Sequence, residues 1–396
     1  MFFGITIILI LLSRIGFAAH VALFNSLPSS GLLDSHTIRH LTFDENTHFL
    51  IANTSYDWWQ RHPDFILVEQ DRRVKVLNSD ILREWESDGD SQLDLNENFG
   101  HIMMQKDVSN WGLARIGQRQ LPLGKTYEYP VSAGEGVDIY IIDTGVNTKH
   151  VDFDDRAEWG TTVIDGEADC LDDKGDGSIS DIIHGLHFVM ERAHLRQPKK
   201  AVVNMSIGAD KSDALNQAID ALVRMGIVVV AAAGNTDPNN TDRNACDYSP
   251  SSAPNALVVG ATDQNDNIAS FSHSGPCIDL FAPGSGIVSD GGHTNQAKVI
   301  SSGTSFSAPF VAGTAALLLT ETTNATAIQV KDHILTTGTA DVLQVADTSP
   351  NLLLYTGLNG AEPAGTLASW ANRNNSKPSK TNPALFLFVI ILVLMT

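Results

Sequence analysis

The chain has 396 residues, 43% of them hydrophobic and 18% charged, which supports a large core and excludes a disordered polymer. A net charge of −20 argues against a nucleic-acid partner, since phosphate recognition needs clustered Lys and Arg. Three cysteines are too few for a disulfide scaffold. Cys246 and Cys277 either pair or remain buried thiols, and Cys170 is left over.

Residues 2–12 form an apolar run followed by the small residues Gly16, Ala18 and Ala19, the pattern of a secretory signal over 1–19. Residues 20–105 are rich in charge, contain Trp58-Trp59 and the strand-like Phe65-Ile66-Leu67-Val68, and end in an acidic, exposed stretch over 86–99. A small domain followed by a cuttable linker reads as a pro-segment. From about 107 to 357 strands alternate with helices. Strands are predicted at 137–142, 201–206, 227–233 and 256–261, and helices at 179–189, 213–224 and 305–320. Such alternation predicts an α/β domain with a parallel sheet covered by helices on both faces.

Three element ends carry the residue types that acyl transfer requires. Asp143 closes a buried strand, where a carboxylate can orient a histidine and stabilise its cation. Asn235 follows an apolar strand and a glycine, and its amide suits an oxyanion donor. Ser305 lies in Gly303-Thr304-Ser305 at the start of an apolar helix, where the dipole and exposed N–H groups favour developing negative charge. Singly, each has a structural reading as a turn former, a left-handed turn or an N-cap. Together, in this order on an alternating chain, they point to a serine hydrolase.

These words resemble the proteinase K branch of the subtilisin family. Asp143-Thr144-Gly145 with Val146 and His150 is similar to its aspartate motif, Ala233-Gly234-Asn235 to its oxyanion motif, and Gly303-Thr304-Ser305 with Ala308-Pro309 to its nucleophile motif. Trp111-Gly112-Leu113-Ala114-Arg115-Ile116 resembles the start of the mature enzyme, and Val68-Glu69-Gln70-Asp71 with Val74-Lys75-Val76 the end of an inhibitory prodomain. The resemblance implies a three-layer subtilisin-like fold over 106–357, with a mostly parallel central sheet, preceded by a small α+β prodomain over 20–105. It implies a monomeric endopeptidase acting on peptides and proteins without a catalytic cofactor. Ser206 and Gly208, with Ala232 and Gly234, would line a cleft that binds extended peptide by strand addition. Asp279 and the carbonyls of Pro254 and Ala256 match a structural calcium site.

The family's His-Gly-Thr-His motif is absent. The pattern is followed up to Cys170 and resumes at Leu171 from a point well downstream, which implies that one helix–strand unit of roughly 30 residues is missing at that junction. His184 in His184-Gly185-Leu186-His187 is the fallback base, but its flanks match the family's next helix, where His184 and His187 share a partly exposed face. His150 and His194 read as surface residues. The alternatives are therefore an endopeptidase with an internal loss, or a pseudoprotease that binds without cutting. Residues 358–383 form a polar stalk, and 384–396 an apolar tail of the GPI-signal type with Asn374 or Asn375 as the modified residue. The expected location is secreted or at the cell surface, with a vacuole as the alternative. Sequons stand at Asn53, Asn204, Asn239, Asn324 and Asn374, of which Asn204 lies in a strand and should be buried.

Overall fold

The computed structural model of the chain describes residues 6–11, 20–26, 37–54, 56–59, 65–77, 80–84, 97–98, 102–162, 176–196, 200–236, 243–322, 324–345 and 348–357. The linker residues 86–96, Cys170 and the Cys170/Leu171 junction, Asn239, the stalk and the tail with Asn374 and Asn375 lie outside the described residues.

A nine-stranded sheet forms the centre. Its order is β12 (Ala157–Thr162), β1 (Thr6–Leu11), β11 (Asp138–Asp143), β14 (Ala201–Met205), β16 (Val228–Ala232), β18 (Leu257–Thr262), β19 (Leu280–Pro283), β23 (Leu352–Leu353) and β22 (Thr339–Ala340). Every pair is parallel except the last. Strands β14, β16, β18 and β19 are buried along their whole length, as their unbroken apolar runs require of a parallel sheet covered on both faces. The covering helices include α3 (Ile179–Leu195), α4 (Asp213–Arg224), α5 (Thr304–Glu321) and α6 (Ala327–Thr337). Capping boxes start α3, from Ser178 and Asp181, and α6, from Thr326 and Gln329. The short α2 (Trp111–Ile116) packs near β19 and the antiparallel sheet of β10 (Thr126–Pro130), β9 (Ile102–Lys106) and β8 (Glu97–Asn98). Glu97 and Asn98 thus belong to a strand and not to the predicted linker.

One position in the central sheet is filled from far away in the chain. β1 lies between β11 and β12, with Thr6 opposite Asp138 and Leu11 opposite Asp143, and its register against β12 slips between Leu9 and Ile10. These residues belong to the run that reads as a secretory signal.

The N-terminal unit is a second, antiparallel sheet of β3 (Thr37–Asp44), β4 (Thr47–Ala52), β2 (His20–Phe24) and β5 (Leu67–Gln70), with the single-turn α1 (Tyr56–Trp59). Period-two alternation divides its side chains. Val21, Leu23, Phe49 and Ile51 join the main core beside α3 and α4, while Ala22, Phe24, Leu50 and Ala52 pack with Trp59 in a separate small core. The segment then continues as β6 (Arg73–Val76) and β7 (Asp80–Glu84). β6 lies in a sheet with β13 (Asp176–Ser178), β15 (Ile207–Asp210) and β17 (Tyr248–Ser249), and β7 pairs with the hairpin of β20 (Ile287–Asp290) and β21 (Lys298–Ser302). Among the sequons, Asn204 is buried within β14, whereas Asn53 and Asn324 are exposed.

A buried ion pair ties α2 to the body of the domain. Arg115, fully buried, donates Nε to Asp266 Oδ1 at 2.7 Å and Nη2 to Asp266 Oδ2 at 3.0 Å, and its Nη1 reaches the carbonyl of Gln118. Removing one partner strands the other charge in the core. Asp266→Asn keeps the shape and tolerates the positive φ of 62° at this residue. It is expected to lower stability by about 3 kcal/mol in urea denaturation, whereas an unchanged midpoint would show that the pair contributes nothing net.

Candidate active site

Ser305 is the second residue of α5 and is fully buried. The turn before it is made tight by close backbone approach. Gly303 donates its N–H to the carbonyl of Gly284 at 2.8 Å, and a Cβ on Gly284 would stand 2.2 Å from Ser307 Oγ and 3.0 Å from the Gly303 carbonyl. Only glycine fits there, so the end of β19 fixes the position of the serine turn.

Asn235 is held by that same turn. Its Oδ1 accepts from the Thr304 backbone N–H and from Thr304 Oγ1, both at 2.9 Å. Thr304 Oγ1 in turn accepts the Gly234 N–H at 3.2 Å. Gly234 has a φ of +111°, and a Cβ on it would meet His273 Nδ1 at 2.4 Å, so conformation and space both demand glycine. Ser305 and Asn235 are thus joined through Thr304, whereas Ala232 lies in register with Val259 inside the sheet.

Asp143 ends β11 and is 1% exposed. Its Oδ1 accepts from Thr144 N at 2.8 Å and from Thr144 Oγ1 at 3.3 Å, while its buried Oδ2 has no hydrogen-bond partner among the described residues. Burial pushes its carboxyl up to about 7, opposed by the two Thr144 hydrogen bonds.

The residues opposite the serine hold a peptide strand of the chain itself. β6 runs antiparallel to β15, with Val76 opposite Ile207 and Lys75 opposite Gly208. On its other edge it runs antiparallel to β13, with Gly177 opposite Val74. Beyond β6, Leu77 donates its N–H to the Ser206 carbonyl at 3.2 Å, and Ser305 Oγ donates to the Leu77 carbonyl at 3.3 Å. A Cβ on Gly208 would stand 2.7 Å from Leu77 Cδ2, so glycine makes room for that side chain. Sequence reasoning named Ser206 and Gly208 but missed β13 as the second wall, since Asp176-Gly177-Ser178 carries no apolar pattern.

Two carboxylates just before β6 sit on helix N-termini. Glu69 Oε1 accepts from Ser212 Oγ and from the Ala214 N–H at 3.1 Å at the start of α4. Asp71 accepts from the Ser180 N–H at 3.0 Å and Oγ at 2.6 Å at the start of α3. Orphan N–H groups and the helix dipole favour both contacts.

The histidines that the sequence singles out lie elsewhere. On α3, His184 Nδ1 faces Arg39 Nη1 at 2.5 Å, and His187 Nε2 meets the Thr42 carbonyl at 3.1 Å, so both contact the N-terminal unit. His194 is exposed. His150 departs from its surface reading. It is buried, with Nε2 2.9 Å from the Ala297 carbonyl and Nδ1 3.4 Å from Asp290 Oδ2, because it caps the turn at Val151–Phe153 beneath the β20–β21 hairpin. The acceptors read as calcium ligands, Asp279 and the carbonyls of Pro254 and Ala256, surround Lys331 Nζ.

The sequence match decides the family. The Peptidase_S8 profile, "Subtilase family", matches residues 168–353. Subtilase-type proteinase psp3 of Schizosaccharomyces pombe is 35% identical over 79% of this chain and 72% of its own. The chain belongs to the subtilase family. Subtilisin-like serine protease Pen ch 18 of Penicillium rubens is 33% identical over 78% of this chain and 67% of its own. A crystal structure of a cold-adapted subtilisin-like serine proteinase superposes with a TM-score of 0.56 at 34% identity, covering 63% of this chain and 99% of that one. By family this subtilase is a serine-type hydrolase, and its fold is subtilisin-like.

The unpartnered Asp143 yields a pH-dependent prediction. A carboxyl raised from near 4 to about 7 keeps its proton in the folded state while the unfolded chain releases it. Its burial therefore costs nothing below about pH 4, and the cost grows until pH passes 7. Asp143→Asn, which cannot ionise, should match wild type at pH 4 and exceed it at pH 8 by on the order of 3 kcal/mol in urea denaturation. A variant less stable than wild type at pH 8 would mean that the carboxylate has a cationic partner in solution.

Proposed function

We propose that this subtilase is a serine endopeptidase precursor that acts through an acyl-enzyme and lacks the general base in the present chain. The observation that carries the reading is the placement of Leu77. Its carbonyl accepts from Ser305 Oγ while the strand before it is clasped between β13 and β15, as a substrate would be before cleavage of the Leu77–Asn78 bond. Residues 20–77 then act as a folding and inhibitory prodomain. Glu69 and Asp71 dock it on two helix N-termini, and the Leu77 side chain lies over Gly208 on the acyl side of the scissile bond.

In the reaction of a site that holds the imidazole, Ser305 Oγ would attack the carbonyl that Leu77 presents. Its proton would pass by way of the imidazole to the Asn78 amine as the Leu77–Asn78 bond breaks, and the oxygen that gains charge needs donors. Anchoring Asn235 by its oxygen to Thr304 makes its NH2 the donor end, and the start of α5 adds the helix dipole. The unpartnered Oδ2 of Asp143 is where an imidazole N–H belongs. The contacts of His184 and His187 with Arg39 and Thr42 speak against either as the substitute. A helix–strand unit lost between Cys170 and Leu171 accounts for the missing base and for a sheet position next to β11 that is filled by β1. The second reading, a peptide-binding pseudoprotease, draws on the same clasped strand without cleavage.

An oxidising compartment is the proposed setting, supported by the disulfide between Cys246 and Cys277 and by the apolar run at 2–12. Among the described residues no helix is long and apolar enough to cross a membrane.

The test is serine reactivity together with self-processing. The full chain is expected to react with a fluorophosphonate probe at Ser305 only slowly and to remain uncut at Leu77–Asn78. Loss of the imidazole costs about 10⁶ in kcat for subtilisin itself, a value belonging to that enzyme. Insertion of a histidine-bearing helix–strand unit between Cys170 and Leu171 should restore labelling and release a fragment beginning at Asn78, and Ser305→Ala should abolish both. Rapid labelling of the chain without the insertion would mean that another residue supplies the base.

A further inference from the structure

Lys331 stands in the second turn of α6, at the margin of the face buried through Ala327, Val330 and Ile334. Its side chain is 15% exposed. Its Nζ lies 2.9 Å from Asp279 Oδ2, 2.5 Å from the Ala256 carbonyl and 3.4 Å from the Pro254 carbonyl. These are the three groups whose resemblance to the family's calcium ligands was noted above. An ammonium has three N–H donors, and here three acceptors face it.

Calcium does not fit this arrangement. The ion takes six to eight oxygens at roughly 2.3–2.6 Å, and Nζ already lies at that distance from the Ala256 carbonyl. The two cations would occupy the same space, and their like charges repel. Of the side-chain oxygens, Asp279 Oδ2 is shared between Lys331 and the Val258 N–H at 2.9 Å.

We propose that Lys331 is a tethered replacement for a structural calcium ion. Its ammonium clamps α6 to the residues that lead into β18 and β19. A bound ion stabilises a fold only as far as its free concentration allows, whereas a lysine in the same chain is always present. A second fastening lies close by, because Cys277, two residues before Asp279, is bonded to Cys246. Stability at this place is then independent of calcium. The clamp belongs to the frame of the domain and touches none of the residues at Ser305.

Thermal unfolding of the full chain tests it, with calcium chloride or EDTA. Wild type should unfold at the same temperature in both. Lys331→Ala removes the clamp and opens the oxygen site, so its Tm in EDTA should fall by on the order of 5 °C and recover in millimolar calcium. Failure of this variant to fold except in calcium would be the same result in stronger form. Lys331→Met removes the charge but leaves a stem in the way, so its Tm should fall without recovery in calcium. The proposal is overturned by a wild-type Tm that rises with calcium, by a calcium-insensitive Lys331→Ala, or by a Lys331→Met as stable as wild type.

Discussion

A strand inside a parallel sheet must be hydrogen-bonded along both edges, because helices cover its faces and no water reaches its backbone. β11 is the strand on which this requirement falls hardest, since it carries Asp143. On one side it has β14, paired through five residues. On the other side it has β1, six residues drawn from the N-terminus. Everything that makes the aspartate a catalytic candidate therefore depends on a strand position that the neighbouring chain does not fill.

The connection after β12 explains why. A return to the same sheet in parallel needs a crossover of at least a dozen residues, normally a helix, before the next strand begins. The 13 residues between Thr162 and Asp176 lead into β13 at the cleft and not into the central sheet. The next strand of that sheet is β14, which lies beyond β11. The slot beside β11 is thus skipped, and an apolar segment satisfies it with a register slip against β12. A segment removed as a secretory leader could not also serve there, so the two roles of residues 6–11 exclude each other in a processed chain. The unpartnered Asp143 Oδ2 and the distant strand β1 meet at the same strand, β11, beside which the proposed helix–strand unit would belong.

Legibility from sequence followed how local the signal was. The helix at 213–224 coincides with α4, because a Ser212 cap and a clean apolar face are local features. The strands at 201–206 and 227–233 were visible as apolar runs and overshoot by a residue or two. Ser305, Asn235 and Asp143 stand out because close packing needs particular words around them, such as the glycines at 234 and 303. What stayed hidden depends on distant partners. α6 is amphipathic but weakly marked, and nothing near Lys331 announces that it points at Asp279, 52 residues earlier. His150 reads as a surface turn because its burial is made by the hairpin around Ala297. β13 forms one wall of the cleft and carries no apolar residue, since its work is backbone pairing with β6 and, through Ser178, capping of α3.

The two halves of the domain also differ in what holds them. From α3 onward each buried strand has a neighbour from the same stretch of chain, a disulfide joins residues 246 and 277, and Lys331 clamps α6 to the entrances of β18 and β19. The subtilase match over residues 168–353 covers nearly all of this half. Ser305, Asn235 and the β15 wall belong to it. Asp143 belongs to the other half, and its strand β11 reaches them through β14 and through packing against α5. The described residues thus hold a strand in extended form and present its carbonyl to Ser305, while Asp143 Oδ2 meets no hydrogen-bond donor among them.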